Sequence, residues 1–78
     1  MDINNIKTFL NELSIENAIN LISVDFKNNI YHFLNNDNIH YSLAKVGKIW
    51  ELMSWETLNI EKIYNSNFDV IYNFYNDI

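Results

Sequence analysis

The chain has 78 residues, no cysteine, and ten acidic side chains against five basic ones, all lysine, giving a formal net charge of −5. This length holds one domain, 1–78, with a small core, and the lack of cysteine excludes disulfides and thiolate metal sites. Nucleic-acid binding is disfavoured because phosphates are held by clustered Lys and Arg, so an acidic chain of this kind is expected to meet a basic partner.

The first predicted element is a helix over 1–14, "MDINNIKTFLNELS". Asp2 can cap its N-terminus. Ile3, Ile6, Leu10 and Leu13 recur every three to four residues, which predicts one apolar face turned toward the core.

Residues 18–42 predict a three-stranded antiparallel meander. Ile22, Val24 and Phe26 alternate with polar residues, and "IYHFL" and "IHYS" follow the Asn-rich stretches "KNN" and "NNDN". Asparagine suits tight turns because it tolerates positive φ. A helical alternative stays open, and with it an all-α small bundle, since apolar residues of 15–34 also fall on a 3.6-residue stripe.

Turns centred on Asn28-Asn29 and on Asn36-Asp37 would fix the register of this meander. His32 and His40 would then lie on opposite faces of the sheet, and no third His or Cys completes a usual metal set. Both faces would be partly apolar, so the face that helices leave uncovered is a candidate contact patch.

Helices are predicted for the rest of the chain. Ser42 can cap a helix over "LAKVGKIWELM", with Leu43, Val46, Trp50 and Met53 on one face. Residues 54–64 suggest a further short helical segment. The last helix, capped by Ser66 or Asn67, has Phe68, Ile71, Tyr75 and Ile78 at helical spacing. The predicted fold is therefore α+β: an N-terminal helix, a three-stranded antiparallel meander, and two or three C-terminal helices.

No stretch of the sequence indicates catalysis. A nucleophile elbow or triad spacing is lacking, so the chain is predicted not to be an enzyme and to need no metal or cofactor. Trp50 fits the core stripe, whereas Trp55 is the better candidate for an exposed anchor of a protein interface. Of the C-terminal aromatic residues Tyr72, Phe74 and Tyr75, two are expected in the core and one at the surface.

Several short motifs carry a resemblance. The chain opens on "MDIN", has "NND" at 35–37 with Tyr41 four residues later, and ends near "FYND" at 74–77. With the predicted element order, it resembles the small phage-encoded anti-CRISPR proteins that inhibit Cas9, in particular the Listeria prophage type. That family implies a compact α/β protein that mimics DNA and fills the basic pocket where Cas9 reads the short motif beside its target.

The resemblance implies a partner-binding turn at Asn35, Asn36 and Asp37, with the Asp37 carboxylate facing arginines or lysines of Cas9. It also departs from the family: only Asp69 stands where the family has an acidic cluster before "FYND", and His40 stands where a carboxylate would serve mimicry. These departures leave room for another surface or another CRISPR effector.

The sequence thus predicts a non-enzymatic inhibitor from a phage or mobile element that blocks nucleic-acid recognition by a host CRISPR effector. Its predicted partner-binding residues are Asn35, Asn36, Asp37, Trp55 and Asp69. The alternative is an immunity protein or antitoxin that neutralises a basic nuclease toxin. Self-association as a homodimer is a third interpretation. Every apolar run is much shorter than the roughly 18 residues of a membrane span, so a cytoplasmic protein is expected.

Overall fold

The structure, a computed structural model, describes residues 5–78 and contains two helices and five strands. In chain order they are α1 (Ile6–Ile15), β1 (Asn20–Asp25), β2 (Ile30–Leu34), β3 (His40–Val46), β4 (Ile49–Ser54), β5 (Asn59–Tyr64) and α2 (Asn67–Asp77). All strands pair with their sequence neighbours, in the order β1-β2-β3-β4-β5, and all pairs are antiparallel. The predicted α+β class is confirmed, but the three-stranded meander followed by two or three helices is wrong, as is the all-α alternative.

Both helices pack on one face of the sheet and leave the other face uncovered. The core between the two layers consists of buried side chains from both helices, from the α1–β1 connection and from strands β2 to β5: Ile6, Leu10, Leu13, Ile19, Tyr31, Phe33, Leu43, Trp50, Leu52, Tyr64, Val70 and Phe74. Phe74 joins the layers, since its ring meets those of Phe9 at 6.0 Å and Phe33 at 5.1 Å.

Helix α1 confirms the predicted apolar face, since Ile6, Leu10 and Leu13 are buried. Asn5 caps it by accepting a hydrogen bond from the Thr8 N–H at 3.2 Å. The predicted cap Asp2 and the apolar residue Ile3 lie outside the described residues. At the other end Asn17 takes φ 60°, and the N–H of Ala18 donates to the carbonyl of Leu13, which is a Schellman ending.

The predicted helix over 43–53 is instead the hairpin of β3 and β4. Gly47 stands between the two strands at φ +63°, a conformation that a helix cannot continue through. In β4 buried residues alternate with half-buried ones, and Leu52 of this strand pairs with the buried Leu43 of β3 under the helices. The helix was predicted because Leu43, Val46, Trp50 and Met53 fall at helical spacing. They belong to two strands, and the turn between the strands produces this spacing by chance.

Residues 54–64, predicted to be partly helical, form the β4–β5 loop and strand β5. The final helix is confirmed: Ser66 caps it by accepting from the Asp69 N–H at 3.1 Å. Its buried residues are Val70 and Phe74. Tyr72 and Tyr75 are both exposed, so one of the three C-terminal aromatic residues enters the core rather than two.

The register of β2 and β3 also differs from the prediction. Leu34 pairs with His40, so residues 35–39 form a five-residue loop rather than a tight turn on Asn36-Asp37. This shift places Tyr41 with Phe33 on the covered face. His32 and His40 consequently share the uncovered face, because neighbouring positions along a strand alternate.

The edge strands each contain a β-bulge. Ile22 is the extra residue in β1 against β2, and Glu61 is the extra residue in β5 against β4. Both leave one residue of the edge strand without a partner in the ladder.

Candidate protein-binding surface at the acidic end

The sheet has two ends that differ in charge. In a meander, successive loops lie at opposite ends, so the loops 35–39 and 55–58 share one end. The C-termini of both helices lie there too: the Asn35 Nδ2 donates to the Ile78 carbonyl at 3.3 Å. The Asn36 amide, oriented as its neighbours require, donates to the carbonyls of Asn17 and Ala18. We call the end that contains the loops 35–39 and 55–58 the acidic end, and the opposite end of the sheet the basic end.

Charged side chains divide between these ends. The acidic end carries Glu16, Asp37, Glu56, Glu61 and Asp77, whereas Lys7, Lys27, Lys45 and Lys48 lie toward the basic end. Because a helix bears partial positive charge at its N-terminus and partial negative charge at its C-terminus, both helices add to this separation. Asp25, at the end of β1, and Asp69, in the first turn of α2, also lie toward the basic end, so lysines outnumber carboxylates there, whereas the acidic end is mainly negative.

The Tyr41 hydroxyl lies within electrostatic range of three of these carboxylates. Burial raises the pKa of the Tyr41 hydroxyl, and the negative charges of Glu61, Glu56 and Asp37 raise it further. Asp37 comes from the β2–β3 loop, whereas Glu56 comes from the β4–β5 loop and Glu61 from the bulge of β5. The fold thus gathers carboxylates that are far apart in sequence.

Trp55 begins the β4–β5 loop at the acidic end and lies on the uncovered face of the sheet. Its ring stacks on His40, with the centroids 5.4 Å apart and the planes at 14°. Its indole N–H donates to the Ser42 Oγ at 2.9 Å, and its backbone N–H donates to the His40 carbonyl. The side chain is held on both sides and still 41% exposed. Trp55 is therefore a fixed and exposed aromatic side chain, and its role as an interface anchor stays a prediction.

His32 and His40 lie together under the indole ring, although the sequence predicted them on opposite faces of the sheet. The Nδ1 of His32 is 3.0 Å from the Nε2 of His40, and the His32 ring also contacts Trp55 at 5.6 Å. Burial and the neighbouring charge of His40 lower the pKa of His32. The signal that could have found this pair is the length of the loop between the strands, because a five-residue loop reverses the face on which His40 lies.

Leu58 closes the β4–β5 loop with its side chain 66% exposed and its backbone at φ +60°. The equivalent last position of the four-residue β1–β2 loop is Asn29, at φ +53°. Asparagine tolerates this left-handed conformation, whereas a leucine there is strained. Such local strain is typical of functional sites. The loop thus displays an apolar side chain beside Trp55.

The predicted trio at 35–37 has divided roles. Asn35 is only 7% exposed and holds the loop, since its Oδ1 accepts from the backbone N–H groups of Asp37 and Ile39 at 2.9 and 3.0 Å. Asn36 binds the end of α1 through its side chain. Asp37 is exposed and is the one member whose carboxylate joins the acidic cluster.

Asp69 lies away from the other predicted site residues, in the first turn of α2. Its carboxylate accepts from the Asn65 N–H at 3.0 Å and from the Asn73 amide at 2.8 Å, and the first of these bonds contributes most to lowering its pKa. About nine residues of helix, roughly 13 Å, separate it from the chain end near Asn35. These hydrogen bonds show that Asp69 stabilises the N-terminal turn of α2.

The chain matches no known protein family, no curated protein and no solved structure. Its function is therefore argued from the geometry of residues 5–78 alone.

No three His, Cys, Asp or Glu side chains within residues 5–78 are grouped so as to hold a metal ion. Neither of the two helices in that range has the length and hydropathy of a membrane span. What the acidic end offers is a surface: an immobilised tryptophan and an exposed leucine bordered by carboxylates from three segments.

Proposed function

We propose that this chain is a small non-enzymatic inhibitor, encoded by a phage or mobile element, that docks its acidic end on the basic nucleic-acid-binding surface of a host protein. A Cas9-like CRISPR effector is the first partner to test. The observation that carries the proposal is the fixed, exposed Trp55 at the same end of the sheet as the carboxylates of Asp37, Glu56 and Glu61.

Charge supplies the first supporting argument. A surface evolved to hold phosphates carries clustered Lys and Arg, and a group of carboxylates on a rigid fold offers those cations equivalent partners. The negative field is reinforced by two helix C-termini and is directed to one end, which favours orientation as well as attraction.

The second argument is the anchor. Interfaces obtain most of their binding energy from a few aromatic and Arg residues in well-packed positions, surrounded by polar neighbours. Trp55 meets this description, since its hydrogen bond to Ser42 and its stacking on His40 hold the indole before any partner arrives. Little side-chain entropy would be lost when it is buried in a complex.

The five-stranded sheet removes the element order that formed part of the resemblance to the Cas9 inhibitors. What still supports a Cas9-like partner is the loop at 35–37, with Asp37 exposed, and the negative charge around it. Asn35, Asn36 and Asp69 are withdrawn from the proposed contact surface because their side chains serve the fold.

Binding of the purified chain to guide-loaded Cas9, with and without a target duplex, tests the partner. Tight binding that prior DNA loading abolishes supports docking at the DNA site. No binding by Cas9 removes this partner, and the same assay is then run on other CRISPR effectors and on basic nuclease toxins, which an immunity protein with this surface would neutralise.

A pair of matched variants tests the surface with whichever partner binds. Asp37→Asn with Glu56→Gln should weaken binding at least about tenfold, because two charge-assisted contacts are lost. Glu12→Gln with Asp25→Asn changes the net charge equally but away from the acidic end, and should change affinity less than about twofold. Equal loss in both variants would show that net charge alone governs binding.

A further inference from the structure

The basic end contains a cleft that the proposed inhibitory surface does not use. It has a volume of about 260 Å³ and is lined, within the described residues, by Asn5, Ile6, Lys7, Asn29, Tyr31, Lys45, Trp50 and Asn67. Two of the five lysines of an acidic protein line the cleft, and its lining among residues 5–78 contains no Asp or Glu.

Each lysine of the cleft is positioned by the fold. Lys45 stands on β3 directly opposite Trp50, and its backbone N–H donates to the Asn29 carbonyl at 3.0 Å. The Lys7 ammonium lies 4.6 Å from the centroid of the Phe26 ring, in the β1–β2 loop. The two cations therefore approach the cleft from the sheet and from the helix layer.

Backbone donors add to this positive character. The cleft includes Ile6 and Lys7, the first two residues of α1, whose N–H groups precede the start of the helical hydrogen-bond ladder. The first turn of α1 contains no acidic side chain that would offset its partial positive charge. Asn67, at the start of α2, lies on the opposite wall and accepts from the Trp50 indole N–H at 2.8 Å.

Tyr31 supplies an independent observation. Its side chain is only 4% exposed, yet its hydroxyl has no hydrogen-bond partner among residues 5–78, and the residue lines the cleft. No buried side-chain N or O atom among residues 5–78 lacks a hydrogen-bond partner, so this unpaired hydroxyl is the part of Tyr31 that is open to the cleft. Burial also raises the pKa of this hydroxyl, so it keeps its proton and can donate.

We infer that this cleft binds a phosphate group, either as the free ion or as the phosphate of a small monoester. Two lysine residues, a phenolic O–H and helix N–H donors line it, which matches the several acceptor oxygens and the charge of a phosphate. Its volume is slightly below the roughly 300 Å³ at which small-molecule pockets begin, so a phosphate with a small organic group would fill it.

Titration of the isotope-labelled chain with inorganic phosphate and with phenyl phosphate at constant ionic strength, followed by amide NMR shifts, tests the inference. We expect saturable shifts at Ile6, Lys7 and Tyr31 with a Kd of about 1 mM or below for at least one probe. Saturation by phenyl phosphate alone assigns the site to a monoester, and equal binding assigns it to the free ion. Shifts that never saturate with either probe would overturn the inference.

Variants separate a built site from general attraction to lysines. Tyr31→Phe keeps the buried ring and should weaken binding by about fivefold or more, and Lys7→Gln with Lys45→Gln should remove it. Lys27→Gln with Lys48→Gln makes the same charge change at the same end but outside the cleft, and should leave the Kd within about twofold. An equal effect of the two double variants would contradict the assignment. The result is independent of the inhibitor proposal, which concerns the opposite end.

Discussion

His32 and His40 face each other across β2 and β3 as a hydrogen-bonded pair, with the Nδ1 of one 3.0 Å from the Nε2 of the other. One ring must donate and the other accept, so at least one histidine is neutral in this arrangement. Trp55 covers both rings. The pair thus couples protonation to the position of the proposed anchor.

We predict that acidification below pH 6.5 weakens the fold. The folded chain lowers the pKa of His32 from 6.5, so the unfolded state binds the proton more readily, and the free energy of unfolding falls as pH drops below that value. Urea unfolding at several pH values measures it. His32→Phe removes the titrating group and should flatten the dependence; an unchanged slope would refute the assignment to His32.

Leu58→Asn should raise stability and lower partner binding. Asparagine tolerates the left-handed backbone at this position, so we expect a gain of about 0.5 to 1 kcal/mol in the free energy of unfolding. Binding should weaken because the exposed apolar side chain is lost. Thermal unfolding and the partner assay give the two readouts.

The matched control for Leu58 is the reverse change at the equivalent position of the β1–β2 loop. Asn29→Leu places leucine at φ +53° and should lower stability by a similar amount. If neither variant changes stability, backbone strain at Leu58 is not significant.

Asn35→Ala should be among the costly substitutions of polar residues. It leaves the N–H groups of Asp37 and Ile39 without their side-chain acceptor and removes the bond to the Ile78 carbonyl. We expect a loss of about 2 to 3 kcal/mol in urea unfolding. Asn36→Ala, at an exposed neighbour, should cost less than about 1 kcal/mol. Equal costs would contradict the structural role assigned to Asn35.

Glu16→Lys should stabilise α1. Glu16 is the C-cap residue, and a carboxylate there meets the negative end of the helix, which carries no basic side chain in its last turn. Replacing it by a cation should add about 0.5 kcal/mol, as measured by thermal unfolding at low salt. Glu16→Gln should give part of this gain. In 0.5 M salt the gain of both variants should be smaller, because the screening length falls to about 4 Å. A gain that persists in salt would indicate another cause.

The sequence predicted both terminal helices, strands β1 and β2 and the start of β3, although residues 15–34 also fit a helical stripe. Ile6, Leu10 and Leu13 repeat as a helix requires, and Tyr31 and Phe33 alternate as in a strand. Strands β4 and β5 were missed because Trp50 and Met53 also fit a helical spacing. Only the two-residue turn at Gly47 decides between these interpretations, and a single glycine is a weak local signal.

The candidate site was predicted in part. Trp55 and Asp37 have the exposure that was expected of them, whereas the grouping of Asp37 with Glu56 and Glu61 depends on strand order. Pairing across β3, β4 and β5 brings these residues together, and no local pattern encodes that pairing. The cleft at Lys7 and Lys45 was missed for the same reason, since its walls come from both layers.

The bulges at Ile22 and Glu61 have a consequence for the chain in a crowded solution. Strands β1 and β5 are the edges of the sheet, and Ile60 and Ile63 on β5 are half exposed. Flat apolar edges recruit strands from other copies and grow into fibres. Because each bulge breaks the regular spacing of backbone groups on an edge, an incoming strand cannot pair along its whole length, and the sheet ends with five strands.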